Sequence, residues 1–223
     1  NNNQCIDEIM KGMESKTRQL IHKNEKNGII TREITIDEVD KFKEAMQHTA
    51  DRRGFIDRPL SYYRHMLEDL KDGAKIILAE IDLEDYREKV KKEIETSENT
   101  IKEKEAALKD PNKKINSDKT KKKIEQEQAN VKRLTKKLEE AQELYQKHGK
   151  VLTLGGIIFM IHGSEILSLF GGSYEEYKDF LSPYSTYFHM IKYGVEHGYK
   201  KYNFYGISGD FANKKNELYG LYD

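Results

Sequence analysis

The chain holds one cysteine, Cys5, in 223 residues. A lone cysteine excludes an internal disulfide framework and makes a reducing compartment the easier reading. No Ser-His-Asp or Cys-His constellation can be picked out, so a nucleophile of the usual activated kind is not expected. The seven histidines are scattered, with no His-x-x-x-His or Cys-x-x-Cys pairing, and a metal centre is not expected either. Lys plus Arg and Asp plus Glu both number 39. No global basic field therefore announces nucleic acid, and any RNA contact must come from a local patch. No apolar run approaches the ~20 residues that span a bilayer. The amino end has no signal-peptide pattern, and Asn1 to Gln4 read as a cut into a longer chain.

What the chain has in abundance is charge, 35% of residues, concentrated between Leu83 and His148. In the first half of that stretch Val90, Ile94, Ser97, Ile101, Lys104 and Leu108 alternate at spacings of four and three, which puts the apolar members on one narrow stripe. In the second half Ile124, Val131, Leu138 and Tyr145 recur every seven residues, with Leu134 and Ala141 between them. A stripe this thin covers one partner helix and no more. Asp110-Pro111-Asn112 between the halves is a helix stop, because proline lacks the amide and disfavours a helical residue before it. The spacing predicts an antiparallel helical hairpin, each limb roughly 27 to 30 residues and on the order of 40 Å long at the helical rise. Ser97, Lys104 and Glu127 interrupt the seam, so pairing is expected to be weak near the tip. A solvated linker or a dimerisation helix is the competing account.

Removing this arm leaves roughly 155 residues, an ordinary single domain. The expected organisation is a discontinuous domain of residues 1–82 and 148–223, interrupted by an arm of residues 83–147. The coarse order is mixed α/β. A helix over Ile6 to Lys26 carries Ile6, Ile9, Met10, Met13, Thr17, Leu20 and Ile21 on one face and stops at Asn27-Gly28. Ile29 to Ile34 alternates as a strand, and Thr35 to Asp37 offers an N-cap for a helix through Phe42 and Met46. Pro59 opens a helix through Tyr62, Tyr63, Met66 and Leu70 as a first-turn proline. Ala74 to Ile81 is a buried strand. Val151 to Ile161 and Glu165 to Phe170 form a hairpin around His162-Gly163-Ser164. A helix over Thr186 to His197 and a strand over Tyr202 to Tyr205 complete the body.

Four stretches then carry a likeness to a known family. They are Lys16-Thr-Arg-Gln-Leu-Ile-His-Lys-Asn with Gly28 beyond it; Thr49-Ala-Asp-Arg-Arg-Gly-Phe-Ile-Asp-Arg58 with Tyr62-Tyr63; Phe170-Gly-Gly-Ser; and Tyr202-Asn-Phe-Tyr-Gly-Ile-Ser-Gly209 with Asp210. In this order, with a hairpin arm between the second and third, they resemble the Fem-type (FemA/FemX/MurM-like) peptidoglycan aminoacyltransferases over nearly the whole chain. The resemblance implies an α/β (α+β) fold: a GNAT-like mixed sheet with flanking helices, here the arm-bearing second of two such domains. It implies transfer of an amino acid from aminoacyl-tRNA onto the stem-peptide amine of a lipid-linked or UDP-linked peptidoglycan precursor, building the interpeptide bridge. No cofactor beyond the aminoacyl-tRNA donor is expected. The implied setting is cytoplasmic, peripheral to the membrane at most and at its inner face, with a monomer or a weak homodimer. The chain ends at Tyr222-Asp223, just before the place where the family carries a Phe-Lys element and closing strands. Most of the family's precursor pocket also belongs to the first domain, so this stretch is expected to be inactive alone, and its catalytic residues are not assigned.

The candidate residues each have a duller account. Arg58 and Tyr62, four apart across a helix start, place a guanidinium and a phenol on one face, and they resemble an Arg and Tyr pair that contacts the precursor in the family. A helix-terminal charge and a half-buried tyrosine compete with that. Arg52 and Arg53 follow Thr49; Arg52 is a candidate substrate contact, and one of the two is expected to make a structural ion pair. Gly171, Gly172 and Ser173 end a strand and allow a ligand backbone to approach closely, although two glycines at a turn need no ligand. Tyr205 and Gly206, in the run with Tyr202, Phe204 and Gly209, are expected to line the cleft, with core aromatic packing as the rival. Lys16, Arg18, Lys23 and Lys26, with His22, form a basic flank suited to tRNA or pyrophosphate-linked lipid phosphates, or simply a solvated face. Two other function classes stand beside the transferase: a noncatalytic tRNA- or protein-binding module that uses the arm, and a CoA-dependent N-acetyltransferase. The last would want an Arg/Gln-x-x-Gly-x-Gly/Ala pyrophosphate loop, and no such run occurs.

Overall fold

A computed structural model describes residues 6–110 and 116–205. These fall into two compact units, one within residues 1–80 and 153–223, the other within residues 81–152. In the first unit the helices are α1 (Ile6–Gly12), α2 (Ser15–Asn27), α3 (Val39–Arg53), α4 (Leu60–Leu70) and α7 (Ser182–Glu196). The strands are β1 (Ile29–Glu33), β2 (Ala74–Asp82), β3 (Val151–His162), β4 (Glu165–Ser173) and β5 (Lys201–Asn203). They form one five-stranded sheet in the order β1-β2-β3-β4-β5. β3 and β4 pair antiparallel, whereas β4 and β5 pair parallel, so the sheet is mixed, as the expected fold class requires.

Each face of the sheet is covered, and the middle of β2, Ile76 to Ala79, is apolar without interruption. A strand buried on one side alternates polar and apolar residues; one buried on both does not. Ile76 and Leu78 point to one face, where Val39, Phe42 and Met46 of α3 and Tyr63 of α4 join them. Ile77 points to the other, against Ile157, Phe159, Ile166 and Met190 of α7. The sheet is thereby clamped between α3 with α4 and α7, and side chains one residue apart along β2 serve opposite cores.

Several local expectations need correction. The single opening helix is two: Glu14 is extended, with φ −53 and ψ 144. Gly12 favours the break, and the Arg18 guanidinium stabilises it by donating to the carbonyls of Lys11, at 3.2 Å, and Met13. Thr35 makes no side-chain cap bond; a 3₁₀ turn over Ile36–Glu38 comes first and α3 starts at Val39. Pro59 stands one residue before α4, and its carbonyl accepts the Tyr62 amide at 3.0 Å. α7 begins at Ser182, with Pro183 in its first turn. β4 runs on to Ser173, while β5 stops at Asn203, short of Tyr205.

Arg32 joins β1 to its surroundings through two carboxylates. It donates to Glu80 on β2 at 2.7 and 3.0 Å and to Glu38 at 2.7 Å through each of two nitrogens. The Glu80 side chain is only 4% exposed, so its charge depends on this fork.

In the second unit α5 (Leu83–Lys109) and α6 (Ser117–His148) pack along each other. Their contacts run in opposite order: the Arg87 guanidinium lies 4.7 Å from the Tyr145 ring, and Asn130 donates to Ser97 at 3.0 Å. The pair is therefore antiparallel. At its base the Leu83 amide donates to the Lys150 carbonyl at 2.8 Å. Asp82 caps α5 through the amides of Glu84 and Asp85, both at 3.0 Å, and Asn116 caps α6 through Lys119 at 2.9 Å. Val90, Ile124, Leu134 and Ala141 are buried in the seam. Ser97 and Glu127 do not leave gaps there. Ser97 bonds Glu127 as well as Asn130, and Lys123 pairs with Glu127 at 2.8 Å. Such a layer fixes register at some cost in stability. Pro111 and Asn112, read as the helix stop, lie outside the described residues. No helix among the described residues is long and apolar enough to cross a membrane.

Arg32→Ala should cost about 3 kcal/mol at neutral pH, the low end for a broken buried pair because the arginine is partly exposed. Arg32 and Lys41 hold the Glu38 carboxyl at about 2, below its ordinary value. Its share of stability is present above the ordinary carboxylate range and disappears as pH falls toward the depressed value. Urea unfolding at about pH 7 and about pH 3 should therefore show a smaller gap between variant and wild type in acid.

Candidate functional site

The two sheet edges of β4 behave differently along its length. β5 pairs only with Glu165, Ile166 and Leu167, and from Ser168 onward the strand has no β5 partner among the described residues. The opening so created is a cleft of about 450 Å³. Its floor is Ser168 to Ser173 with Gly156 and Ile157 of β3; one wall is the end of α3 with Arg52, Arg53 and Phe55; the other is the start of α7 with Thr186 and Tyr187, joined by Phe204 and Tyr205. A cleft at the carboxyl end of a strand, beside the helix that crosses to its parallel neighbour, is where open α/β sheets usually receive ligands.

α3 sits directly on β4. A Cβ on Gly172 would lie 2.4 Å from the Met46 nitrogen and 2.6 Å from the Ala45 carbonyl carbon, so no other residue fits without displacing the helix. One turn on, the Thr49 hydroxyl accepts the Ser173 amide at 2.9 Å and donates within reach of the Ser173 carbonyl at 3.1 Å or the Ala45 carbonyl at 3.2 Å. Gly172 lines the cleft, and its missing side chain is also what clears room for α3. Gly171 is exposed on the cleft floor, where a Cβ would meet the Ile157 side chain at 3.4 Å and the Gly156 carbonyl oxygen at 3.8 Å, ordinary contact distances.

Three arginines near the cleft have different partners. Arg52 is ion-paired with Glu175, which Lys178 also bonds at 2.5 Å; Lys178 first and Arg52 second hold that carboxyl below its ordinary value. Arg53 lines the same cleft and has no hydrogen-bond or ion-pair partner among the described residues. Arg52 is thus the structural member of the pair and Arg53 the available cation. Arg58 stacks on Tyr62, 4.8 Å from the ring centroid, and lies 5.9 Å from the Phe170 ring. Phe170 lines the cleft, and no carboxylate among the described residues pairs with the Arg58 guanidinium. An exposed guanidinium stacked on a ring, with no counter-ion among the described residues, suits a carboxylate or phosphate.

Tyr205 adopts a left-handed φ of 64, held by its amide on Asn203 at 2.8 Å, while Asn203 donates to Glu165 at 2.8 Å. Its ring is 55% exposed on the cleft wall. Phe204 packs edge-on to Tyr187 at 5.2 Å. The Tyr187 hydroxyl bonds Ser168, and burial pushes that phenol's pKa up. Gly206 lies outside the described residues.

The basic set on α2 is not brought to the cleft. Lys16 and Lys23 are exposed on one flank with Lys26, whereas Arg18, roughly 200° round the helix from Lys16, is committed to the end of α1. α2 is tied to the cleft wall all the same: the buried Asn24 amide donates to the Leu181 carbonyl at 3.0 Å and the Ser185 hydroxyl at 2.9 Å, at the start of α7.

Sequence reasoning missed Ser168, Thr186, Tyr187 and Phe55. A strand carried through to Ser173, followed by a helix and a parallel strand, would have placed the start of α7 beside them. Among the described residues the cleft lining contains no carboxylate, imidazole or thiol. Among the described residues no three His, Cys, Asp or Glu side chains gather as a metal would need. What the arrangement offers is cations, hydroxyls and aromatic faces, the means to position and to stabilise charge.

A family model described as the FemAB family matches residues 1–223. The chain is similar to the aminoacyltransferase FemA of Staphylococcus epidermidis, with 32% identity over 94% of this chain and 50% of that protein. Its likeness to the FemA of Staphylococcus aureus is 30% over 92% of this chain and 48% of that one. The crystal structure of FemX superposes with a TM-score of 0.74 at 26% identity, covering 99% of this chain and 55% of FemX. The chain thus spans about half the length of the curated relatives it matches.

The two glycines give a direct check on the cleft floor. Gly172→Ala should lower stability by more than about 2 kcal/mol, as overpacking against backbone does, with or without any ligand. Gly171→Ala should stay within about 0.5 kcal/mol of wild type, the usual range for a surface change. Thermal or urea unfolding of the two variants measures both.

Proposed function

This chain belongs to the FemAB family, and we propose from that premise that it serves aminoacyl-tRNA-dependent transfer of an amino acid onto the stem-peptide amine of a peptidoglycan precursor. The observation that carries the proposal is the opened half of β4, with Arg53 on its wall lacking a partner among the described residues and Arg58 stacked at its rim. In the reaction the amine attacks the ester carbonyl of the aminoacyl group. A carbon–nitrogen bond forms, the carbon–oxygen bond to the tRNA ribose breaks, and the proton released by the amine leaves with the ribose hydroxyl. Aminolysis of an activated ester needs no covalent enzyme intermediate. It needs alignment of amine and carbonyl and a place for the developing oxyanion.

In this scheme Arg58 and Tyr62 face an anionic group of the precursor, and Arg53 serves the cleft itself. Tyr205, Gly171 and Ser173 shape its walls, Arg52 and Gly172 hold them in place, and Lys16, Lys23 and Lys26 offer a flank to tRNA phosphates. No cofactor is called for. The protein would work in the cytoplasm, at the inner membrane face where a lipid-linked precursor is presented, as a monomer or weak homodimer. The division we propose is a GNAT-like body of residues 1–82 and 148–223 interrupted by an arm of residues 83–147.

One observation favours a further role for the arm in holding tRNA. Lys104, Lys119, Lys122 and Lys123 surround a concavity at the amino end of α6, a local basic patch on a chain with no net charge.

Transfer of labelled amino acids from a panel of charged tRNAs onto lipid-linked precursor tests the activity with the intact protein. Arg53→Ala and Arg58→Ala should each lower kcat/KM about tenfold or more, the scale of a lost charge-assisted bond. Absence of transfer across the whole panel would refute the proposal. Filter binding of tRNA with and without residues 83–147 tests the arm: deletion should lower both affinity and its salt dependence, and unchanged values would remove the arm from tRNA binding.

A further inference from the structure

The segment that carries Arg58 has little to hold it. Residues 55–59 lie between α3 and α4 without regular structure, and Ile56 at their centre is 98% exposed. Asp57 is the exception, with a side chain only 1% exposed. Its Oδ1 accepts the Tyr63 hydroxyl at 2.6 Å and the Arg58 amide at 2.8 Å. Its Oδ2 pairs with Lys43 of α3. One buried carboxylate thus ties α3, α4 and the loop together, with both oxygens occupied.

We infer that Asp57 is a positioning residue that latches the backbone of Arg58, so that the guanidinium stays stacked on Tyr62 and Phe170 at the cleft rim as the receptor for a phosphate or carboxylate group of the substrate. The latch acts on Arg58 from its amino side, and Pro59 acts from the other, because a residue before proline is confined to extended backbone. With both ends of the residue restrained, little conformational freedom remains to be lost when an anion arrives. Lys43 has a second consequence. It neutralises the carboxylate next to the receptor, so an approaching anion does not meet an uncompensated negative charge.

This inference rests on Arg58 being the anion receptor of the proposed function. The test is a double-mutant cycle in the intact protein: wild type, Asp57→Asn, Arg58→Ala and the double variant. Affinity is measured by calorimetry at low salt for two probes, a UDP-linked muropeptide and inorganic pyrophosphate, and transfer kinetics are measured in parallel. Asp57→Asn should weaken binding about tenfold and raise KM while leaving kcat within about twofold, and in the Arg58→Ala background it should cost nothing more. Where Asp57→Asn does not fold, Tyr63→Phe removes the 2.6 Å bond and takes its place in the same cycle. Losses that add fully in the double variant, or Asp57→Asn binding as tightly as wild type, would overturn the latch, as would a wild type that binds neither probe. Pyrophosphate binding that follows the predicted cycle without any muropeptide binding would keep the latch and reject the substrate assigned above.

Discussion

The contact between the backbone of α3 and Gly172 on β4 sets most of what matters in the body. Because that position has no side chain, the helix settles onto the strand, and Thr49 then fastens it by taking the Ser173 amide. Three consequences come from the same contact. The end of α3, with Arg52 and Arg53, is brought over the unpaired half of β4. The strand stays paired with β3 through Ser173, beyond the point where β5 leaves it. The loop that follows α3 then starts at a fixed place, so that Arg58 reaches Phe170 on the cleft floor. A larger residue at 172 would move all of these together.

Charge in this protein is sorted by whether a partner is within reach. Arg32 is consumed by Glu38 and Glu80, Arg52 by Glu175, and Arg18 by helix-end carbonyls. Each does structural work. Arg53 and Arg58 have no counter-ion among the described residues, and both lie at the cleft. Both are exposed, so an anion can reach them, and these two are where an anionic substrate gains a charge-assisted bond.

Features set by local pattern were legible in the sequence. The arm shows as two narrow heptad stripes, and its antiparallel pairing follows from their width and the stop between them. β2 reads as a strand buried on both faces because Ile76, Ile77 and Leu78 are all apolar. Features set by distant partners were not. The break before Ser15 depends on Arg18 reaching back to Lys11 and Met13. The choice between Arg52 and Arg53 depends on Glu175, which is 123 residues away. Ser97 and Glu127 look like flaws in a seam until Asn130 and Lys123 are seen beside them. Gly172 does not show by itself that α3 comes close, because a glycine records that something comes close and not what it is.

The seating of α3 on β4 can be measured most directly by hydrogen exchange at the Ser173 amide. In the wild type that amide should be protected to a degree comparable with its neighbours in β4, and Thr49→Val, which keeps the shape and removes the hydroxyl, should cost it at least about tenfold in protection while the amides of β2 keep theirs. If Ser173 exchanges at the same rate in both proteins, the helix is not fastened there and the cleft has to be explained another way.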